Sequence, residues 1–310
     1  LAGQPVSVEE SFMAKQPRYL TGQVAAITGA ARGIGRATAE ALIREGMRVS
    51  IGDLDLETAK RTAQELGPAA IALPVNVTER ASVRAFLDQT EEQLGPIDVL
   101  INNAGIMQLG SFLDEDDATA QRQIDINING VLYGMKEVLP RMVARNRGHL
   151  VNIASAAGKA GFPGGVTYCG TKHFVVGVTE AARAELRDTN VGFSVVMPAL
   201  VNTELASGTE DSRAVKRVEP EDVAGEIVWA LQHDKFDVYV PRSVQRISYA
   251  MNLLPRGGRE AVARALKADK VLTQIDQGKR QAYELRASRS EPGLEPGDQP
   301  AQLPQGTNGS

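Results

Sequence analysis

Between Ser155 and Lys172 the chain carries a hydroxyl, a phenol and an ammonium, on Ser155, Tyr168 and Lys172. Tyr168 and Lys172 stand four residues apart, a spacing that puts them on one face of a helix. Ser155 lies 13 residues before Tyr168, across the run GKAGFPGG, whose glycines and proline can fold it back. A phenol titrates near pH ~10. A neighbouring ammonium favours the phenolate, so the pair is expected to bring Tyr168 closer to neutral pH as a proton donor and acceptor. Taken alone, Y-x-x-x-K is better explained as a surface helix that carries a Tyr and a Lys. The elements around it must decide.

Those elements alternate. Short apolar runs at Gln23–Thr28, Met47–Gly52, Ala69–Val75 and Ile97–Ile101 read as buried strands. Helical stretches separate them at Ala37–Arg44, Leu56–Leu66 and Glu79–Leu94, closed by Gly46, Gly67-Pro68 and Gly95-Pro96. In the third of these, Val83, Phe86, Leu87, Thr90 and Leu94 share a stripe. The second half continues with a long helix over 112–145 and strands at His149–Ile153, Val191–Met197 and Phe236–Val240. Helices at Val166–Arg187 and Glu219–Leu231 lie between those strands, and residues 258–285 read as one amphipathic or charged helix. This pattern predicts an α/β fold: a single Rossmann-type, doubly wound parallel sheet of about seven strands with helices on both faces. Ligands then bind at the carboxyl edge of the sheet. No internal repeat is visible.

The first strand runs into T-G-A-A-R-G-I-G, Thr28 to Gly35. Gly29, Gly33 and Gly35, with Arg32 and Ile34 between them, form a tight turn between a strand and a helix. The helix N-terminus can present its free N–H groups to a pyrophosphate. Asp53 ends the second strand, 18 residues past Gly35. A carboxylate there suits the ribose hydroxyls of NAD and repels the 2′-phosphate of NADP. Arg32 is the counter-signal, since it could pair with that phosphate. It is better read as a solvated turn arginine, and Asp55 as a helix-start residue.

Composition narrows the class. The 310 residues are 43% hydrophobic and 23% charged, with a formal net charge of -4, which gives nucleic acid or an anionic membrane no hold. One cysteine, Cys169, and three histidines (His149, His173, His233) leave no disulfide framework and no patterned metal site. No apolar run is long enough for a transmembrane helix, and the first residues do not read as a secretory signal. A soluble, cytoplasmic protein is expected. Residues 1–19 read as a flexible arm, 20–245 as the nucleotide-binding domain, 246–287 as a helical extension and 288–310 as a disordered tail.

Several ordered motifs resemble the short-chain dehydrogenase/reductase family over roughly residues 20–245. They are the glycine turn at Thr28–Gly35, N-N-A-G at Asn102–Gly105, N-I-N-G at Asn127–Gly130, Ser155, Y-x-x-x-K at Tyr168–Lys172, and P-x-x-V-x-T at Pro198–Thr203. The resemblance implies an NAD-dependent oxidoreductase of small-molecule alcohols and ketones, commonly a homo-oligomer (a dimer or tetramer). It implies Tyr168 as acid/base, Lys172 on the nicotinamide ribose and depressing the Tyr168 pKa, and Ser155 on the substrate oxygen. Asn127 would hold a water that links Lys172 to solvent. Asn103, Ala104 and Gly105 would line the adenosine side, and Val201 and Thr203 would hold the nicotinamide amide. The sequence departs from the family at Asn76, beside Val77, where an Asp is usual; its amide oxygen can still accept from adenine. It departs again at Ala199, which follows Pro198 in place of a glycine. Cys169 reads as a packing residue and His173 as facing away from the nucleotide. Met107, Phe162, Leu200 and Leu205 are candidate substrate walls. Glu204 to Val218 reads as a mobile lid. Ile247, Ala250, Met251, Leu253 and Leu254 are expected to cover the mouth of the site.

Overall fold

A computed structural model describes residues 17–209, 216–265, 271–273 and 275–288. Seven parallel strands form one sheet: β1 (Val24–Thr28), β2 (Arg48–Asp53), β3 (Ala70–Pro74), β4 (Val99–Asn102), β5 (Gly148–Ile153), β6 (Val191–Pro198) and β7 (Asp237–Val240). Their order is β3-β2-β1-β4-β5-β6-β7. The chain reverses direction across the sheet between β1 and β4, which opens a crevice at their carboxyl ends. Each predicted strand is present within a residue or two at its ends.

Apolar clusters cover both faces of the sheet. Leu100, Leu150, Phe193, Val195 and Met197 belong to one cluster, with Phe86, Val138 and Val175 from the helices. Ile27, Ile51, Ile101, Val151 and Val196 belong to the other, with Leu42 and Ile227. Both faces are buried, which is why these strands read as continuous apolar runs rather than alternating ones.

The helices are α1 (Gly33–Arg44), α2 (Leu56–Leu66), α3 (Arg80–Leu94), α4 (Asp117–Ile124), α5 (Gly130–Ala144), α6 (Val166–Glu185), α7 (Pro220–His233), α8 (Ser243–Asn252), α9 (Arg256–Ala265) and α10 (Gln277–Ser288). Gly67 and Gly95 end α2 and α3 at φ of 88° and 91°, a conformation that costs glycine little. α7 begins with Pro220 and a reciprocal Glu219–Asp222 capping box.

The helix predicted over 112–145 starts later and is broken. A single wide turn of π-helix, Asp125–Asn129, separates α4 from α5. The helix predicted over 258–285 is two helices, α9 and α10, and α8 precedes them, beginning three residues before the helical extension expected from 246. The expected arm is shorter than 1–19: Arg18 donates its N–H to the Gln232 carbonyl (2.8 Å) and pairs with Asp234, and Leu20 is buried. The predicted arm over 1–16 and tail over 289–310, and the middle of the predicted lid at 210–215, lie outside the described residues.

A polar chain through the interior sets α6 against the sheet. Asn102 of β4 donates to Asn152 of β5 (2.8 Å), and Asn152 donates to Thr179 of α6 (2.9 Å). All three side chains are buried, so leaving one unpaired would cost about 1–3 kcal/mol. Gly134 of α5 is required beside them, because a Cβ there would come within 2.1 Å of the Asn102 side-chain oxygen. The network fixes the helix that carries Tyr168 and Lys172.

Candidate active site

Tyr168 and Lys172 lie on the first turns of α6 and are both buried. The Lys172 ammonium donates to the Ile153 carbonyl at the end of β5 (3.0 Å) and sits 5.7 Å from the centre of the Tyr168 ring. Burial pushes the Lys172 amine down to about 8. Burial also pushes the Tyr168 phenol up to about 12, against the opposing hydrogen bond from Ser155. The phenol therefore lies above its ordinary value rather than below it, because desolvation outweighs the Ser155 hydrogen bond. Ser155 caps a short turn after β5, accepting from the Ala157 N–H (3.1 Å) and reaching the Pro198 carbonyl at 3.5 Å.

Asn127 projects from the π-turn. Its amide closes both hydrogen bonds of the Ile106 peptide, accepting from the N–H (2.9 Å) and donating to the carbonyl (2.9 Å), and it also donates to Thr171 (3.1 Å). Gly105 lies between Asn127 and Lys172: a Cβ there would stand 3.1 Å from the Asn127 oxygen and 3.5 Å from the Lys172 nitrogen.

The glycine turn stands at the other end of the crevice. Gly29 has φ of +64°, and a Cβ on it would meet the Ala104 Cα at 2.7 Å. A Cβ on Gly35 would meet the Gly29 carbonyl at 2.6 Å. Asn103 ties the turn down from β4, donating to the carbonyls of Thr28 (2.9 Å) and Gly29 (2.8 Å), while the Thr28 hydroxyl accepts from Asn103 and Ala104. No side chain caps α1, so its first N–H groups, from Gly33 and Ile34 on, face the crevice. This is a cradle shaped for a pyrophosphate. Thr203 approaches it from β6, with its methyl 3.3 Å from where a Gly33 Cβ would be.

Asp53 accepts from the N–H groups of Ala31 and Asp55 (3.0 Å each). Its carboxyl is nonetheless held above the usual carboxylate range, because burial outweighs those bonds. Arg32 is not a free solvated arginine. It pairs with Asp55 (2.6 Å) and Thr58 (2.9 Å), and Asp55 caps α2 as expected. Asn76 is committed more fully than its sequence position implied. Its oxygen accepts both the N–H and the hydroxyl of Thr78, and its nitrogen donates to Glu79 (2.8 Å). These bonds make the amide order the turn after β3, at the wall of the cavity. Val77 lines the crevice and packs against Gly130.

One cavity of about 1860 Å³ joins the two ends. It is lined by Gly29, Asp53, Asn76, Asn103, Ser155 and Tyr168, and by Lys172, Pro198, Val201 and Thr203. The four predicted walls, Met107, Phe162, Leu200 and Leu205, all line it, around a small apolar cluster with Tyr168 and Cys169. Cys169 packs there, within hydrogen-bonding reach of the Phe162 N–H (3.3 Å), and His173 is exposed on the opposite side of α6. Ala199 donates to the Val240 carbonyl (2.8 Å). Of the expected cover, Ile247 and Met251 reach the cavity, whereas Leu253 and Leu254 are exposed. Val271, Leu272, Tyr283 and Ala287 also line it. The spacing of Tyr283 and Ala287, one turn apart, was the available signal for those two; nothing in the sequence marks Val271–Leu272.

The sequence pattern described as short chain dehydrogenase matches residues 23–214. The chain belongs to this family. It is an oxidoreductase acting on CH–OH groups, and the dehydrogenase cleft takes a nicotinamide dinucleotide. It is 39% identical over 192 residues to a sorbitol dehydrogenase of Cereibacter sphaeroides, covering 62% of this chain and 75% of that protein. It is 37% identical over 186 residues to a galactitol 2-dehydrogenase of Agrobacterium fabrum, covering 60% and 73%. A crystal structure of a short chain dehydrogenase/reductase from Burkholderia phymatum in complex with NAD superimposes with a TM-score of 0.70 at 28% identity, covering 75% of this chain and 93% of that one. No described helix of this dehydrogenase is long and apolar enough to cross a membrane.

Proposed function

We propose that this dehydrogenase interconverts a lipophilic secondary alcohol and its ketone, with NAD preferred over NADP. The observation that carries the reading is that the buried Tyr168 and Lys172 and the half-buried Ser155 border the part of the cavity lined by Met107, Phe162, Leu200, Leu205 and Leu272. A polyol, the substrate class in the names of two relatives, would set several hydroxyls against those apolar walls, each losing its hydration.

The glycine turn and the uncapped start of α1 would hold the pyrophosphate, Asp53 the adenosine ribose and Lys172 the nicotinamide ribose. When bound, the dinucleotide supplies the hydride or accepts it. The Tyr168 hydroxyl gives its proton to the ketone oxygen in reduction and takes it back in oxidation. Burial favours the protonated phenol, the form needed for reduction. Ser155 holds the same substrate oxygen and orients it toward Tyr168. Asp53 supports the NAD preference, since a buried carboxylate at that edge disfavours a 2′-phosphate and Asp55 and Thr58 already occupy Arg32.

The test is ketone reduction followed by the absorbance of the reduced nicotinamide, with NADH against NADPH, in wild type and Tyr168→Phe. The expected outcome is faster turnover with NADH and a loss of at least about a thousandfold in Tyr168→Phe, within the usual range of general acid–base effects, with NADH still bound. Undiminished turnover in that variant sinks the mechanism, and a wild type that prefers NADPH overturns the reading of Asp53.

A further inference from the structure

α10 brings a second phenol to the substrate cavity. Tyr283 is 8% exposed and lines the same cavity as Tyr168. Its oxygen accepts the Met107 N–H (2.7 Å). No acceptor for its own hydrogen is found among the described residues, so the hydroxyl of a buried, cavity-lining tyrosine has a hydrogen still to give. Buried donors of this kind ordinarily have a partner.

The ring is held firmly. Arg280, one turn earlier and 1% exposed, lies 4.7 Å from the Tyr283 ring centre. Its guanidinium donates to the carbonyls of Leu205 (3.1 Å), Ser207 (3.0 Å) and Met107, and pairs with Glu284 (2.6 Å). Backbone contact adds to this: the Asp276 N–H donates to the Gly208 carbonyl (2.8 Å), and a Cβ on Gly208 would stand 2.5 Å from the Asp276 carbonyl.

We propose that Tyr283 is a specificity-determining residue that donates its phenolic hydrogen to a second oxygen of the substrate. This rests on the alcohol–ketone reading above and deepens it. The preferred substrate is then mainly apolar, with one further oxygen acceptor besides the reacting one. That pattern matches a cavity of apolar walls with few convergent polar groups. Arg280 is a positioning residue for Tyr283.

The test uses full-length protein, NADH and a set of methyl ketones of one chain length. In each, one methylene is replaced by an ether oxygen, at successive positions; the unsubstituted ketone is the reference. For wild type, one ether position is expected to raise kcat/KM over the reference by about tenfold, the scale of one good hydrogen bond. In Tyr283→Phe that ratio is expected to fall to about one. A purely structural role for Tyr283 would lower both substrates together and leave the ratio unchanged, which overturns the proposal. So does a wild type that shows no preferred ether position, a measurement that decides the matter even if Tyr283→Phe does not fold. A wild type that reduces none of the ketones overturns the alcohol–ketone reading itself and this proposal with it, an outcome separable from the other two.

Discussion

At the end of the cavity that holds the glycine turn, the lining is built largely of backbone. Gly29 and Gly35 let the main chain approach, Asn103 holds that main chain from beneath, and the first N–H groups of α1 face inward. At the substrate end, contact is made by side chains from a segment that follows all seven strands. Arg280 and Tyr283 of α10 grip the loops after β4 and β6, and Leu272 packs on the loop after β5, where a Cβ on Gly164 would stand 2.3 Å from its carbonyl. The family match over residues 23–214 takes in the first end whole and none of α10. A shared cofactor can be met by a fixed main-chain shape. A particular substrate needs walls that differ from one relative to the next, and side chains on an added segment can change without disturbing the sheet.

The sharpest way to break this comparison is Arg280→Met. The substitution strands the carbonyls of Met107, Leu205 and Ser207 and removes the ion pair of Glu284, a loss of about 3 kcal/mol or more in stability. The ketone KM is expected to rise by at least about tenfold while the NADH dissociation constant stays within about threefold, the ends being far enough apart to act independently. Stopped binding titrations with NADH beside steady-state kinetics read both; an equal loss at the two ends would show that α10 supports the whole cleft.

Gly29→Ala probes the opposite end. With φ at +64° and the Ala104 Cα 2.7 Å from the new methyl, strain and overlap together cost about 1–3 kcal/mol. NADH affinity is expected to drop by about tenfold or more, with the ether-to-ketone preference unchanged. A changed preference would mean that the substrate wall depends on the glycine turn.

The smallest effect concerns Lys172, which sits where the ends meet. Burial pushes its amine down to about 8 from an ordinary lysine's 10.5. Between those values the unfolded chain holds a proton that the folded chain has lost, so stability rises with pH across that window. Lys172→Met lacks this rise. In thermal melts without nucleotide, the wild-type Tm minus that of the variant is expected to grow as pH increases from about 8 to 10.5; a constant difference would mean that the ammonium is solvated.

The same division decides what the sequence could tell. The glycine turn and the strand that feeds it are local, and a glycine that must sit at positive φ can be read from its neighbours. The parallel sheet was legible because strands buried on both faces become unbroken apolar runs. Asn127 was found through the family motif, but the π-turn that aims it was not, since D-I-N-I-N carries no spacing that separates a wide turn from an ordinary one. The helix that carries Tyr168 and Lys172 was legible, but the direction in which the phenol is shifted was not, because residue spacing reveals a neighbouring charge and not the loss of water around it. The partners of Asn76 were hidden for a similar reason: Thr78 and Glu79 were in view, but which of them its amide would choose depends on the fold of the turn. Arg280 was the least visible. In Q-G-K-R-Q-A-Y-E-L-R-A-S it looks like any solvated arginine, and only the carbonyls converging from two distant loops make it interior.

The paired grip on the loop after β4 has one more consequence. Asn127 fastens the Ile106 peptide, and Tyr283 with Arg280 fastens the Met107 peptide beside it. Ribosomes make the first fastener more than 150 residues before the second. Vectorial synthesis therefore delivers the glycine turn and Asn127 well before α10, so the wall that α10 supplies is the last part of the cleft to be made.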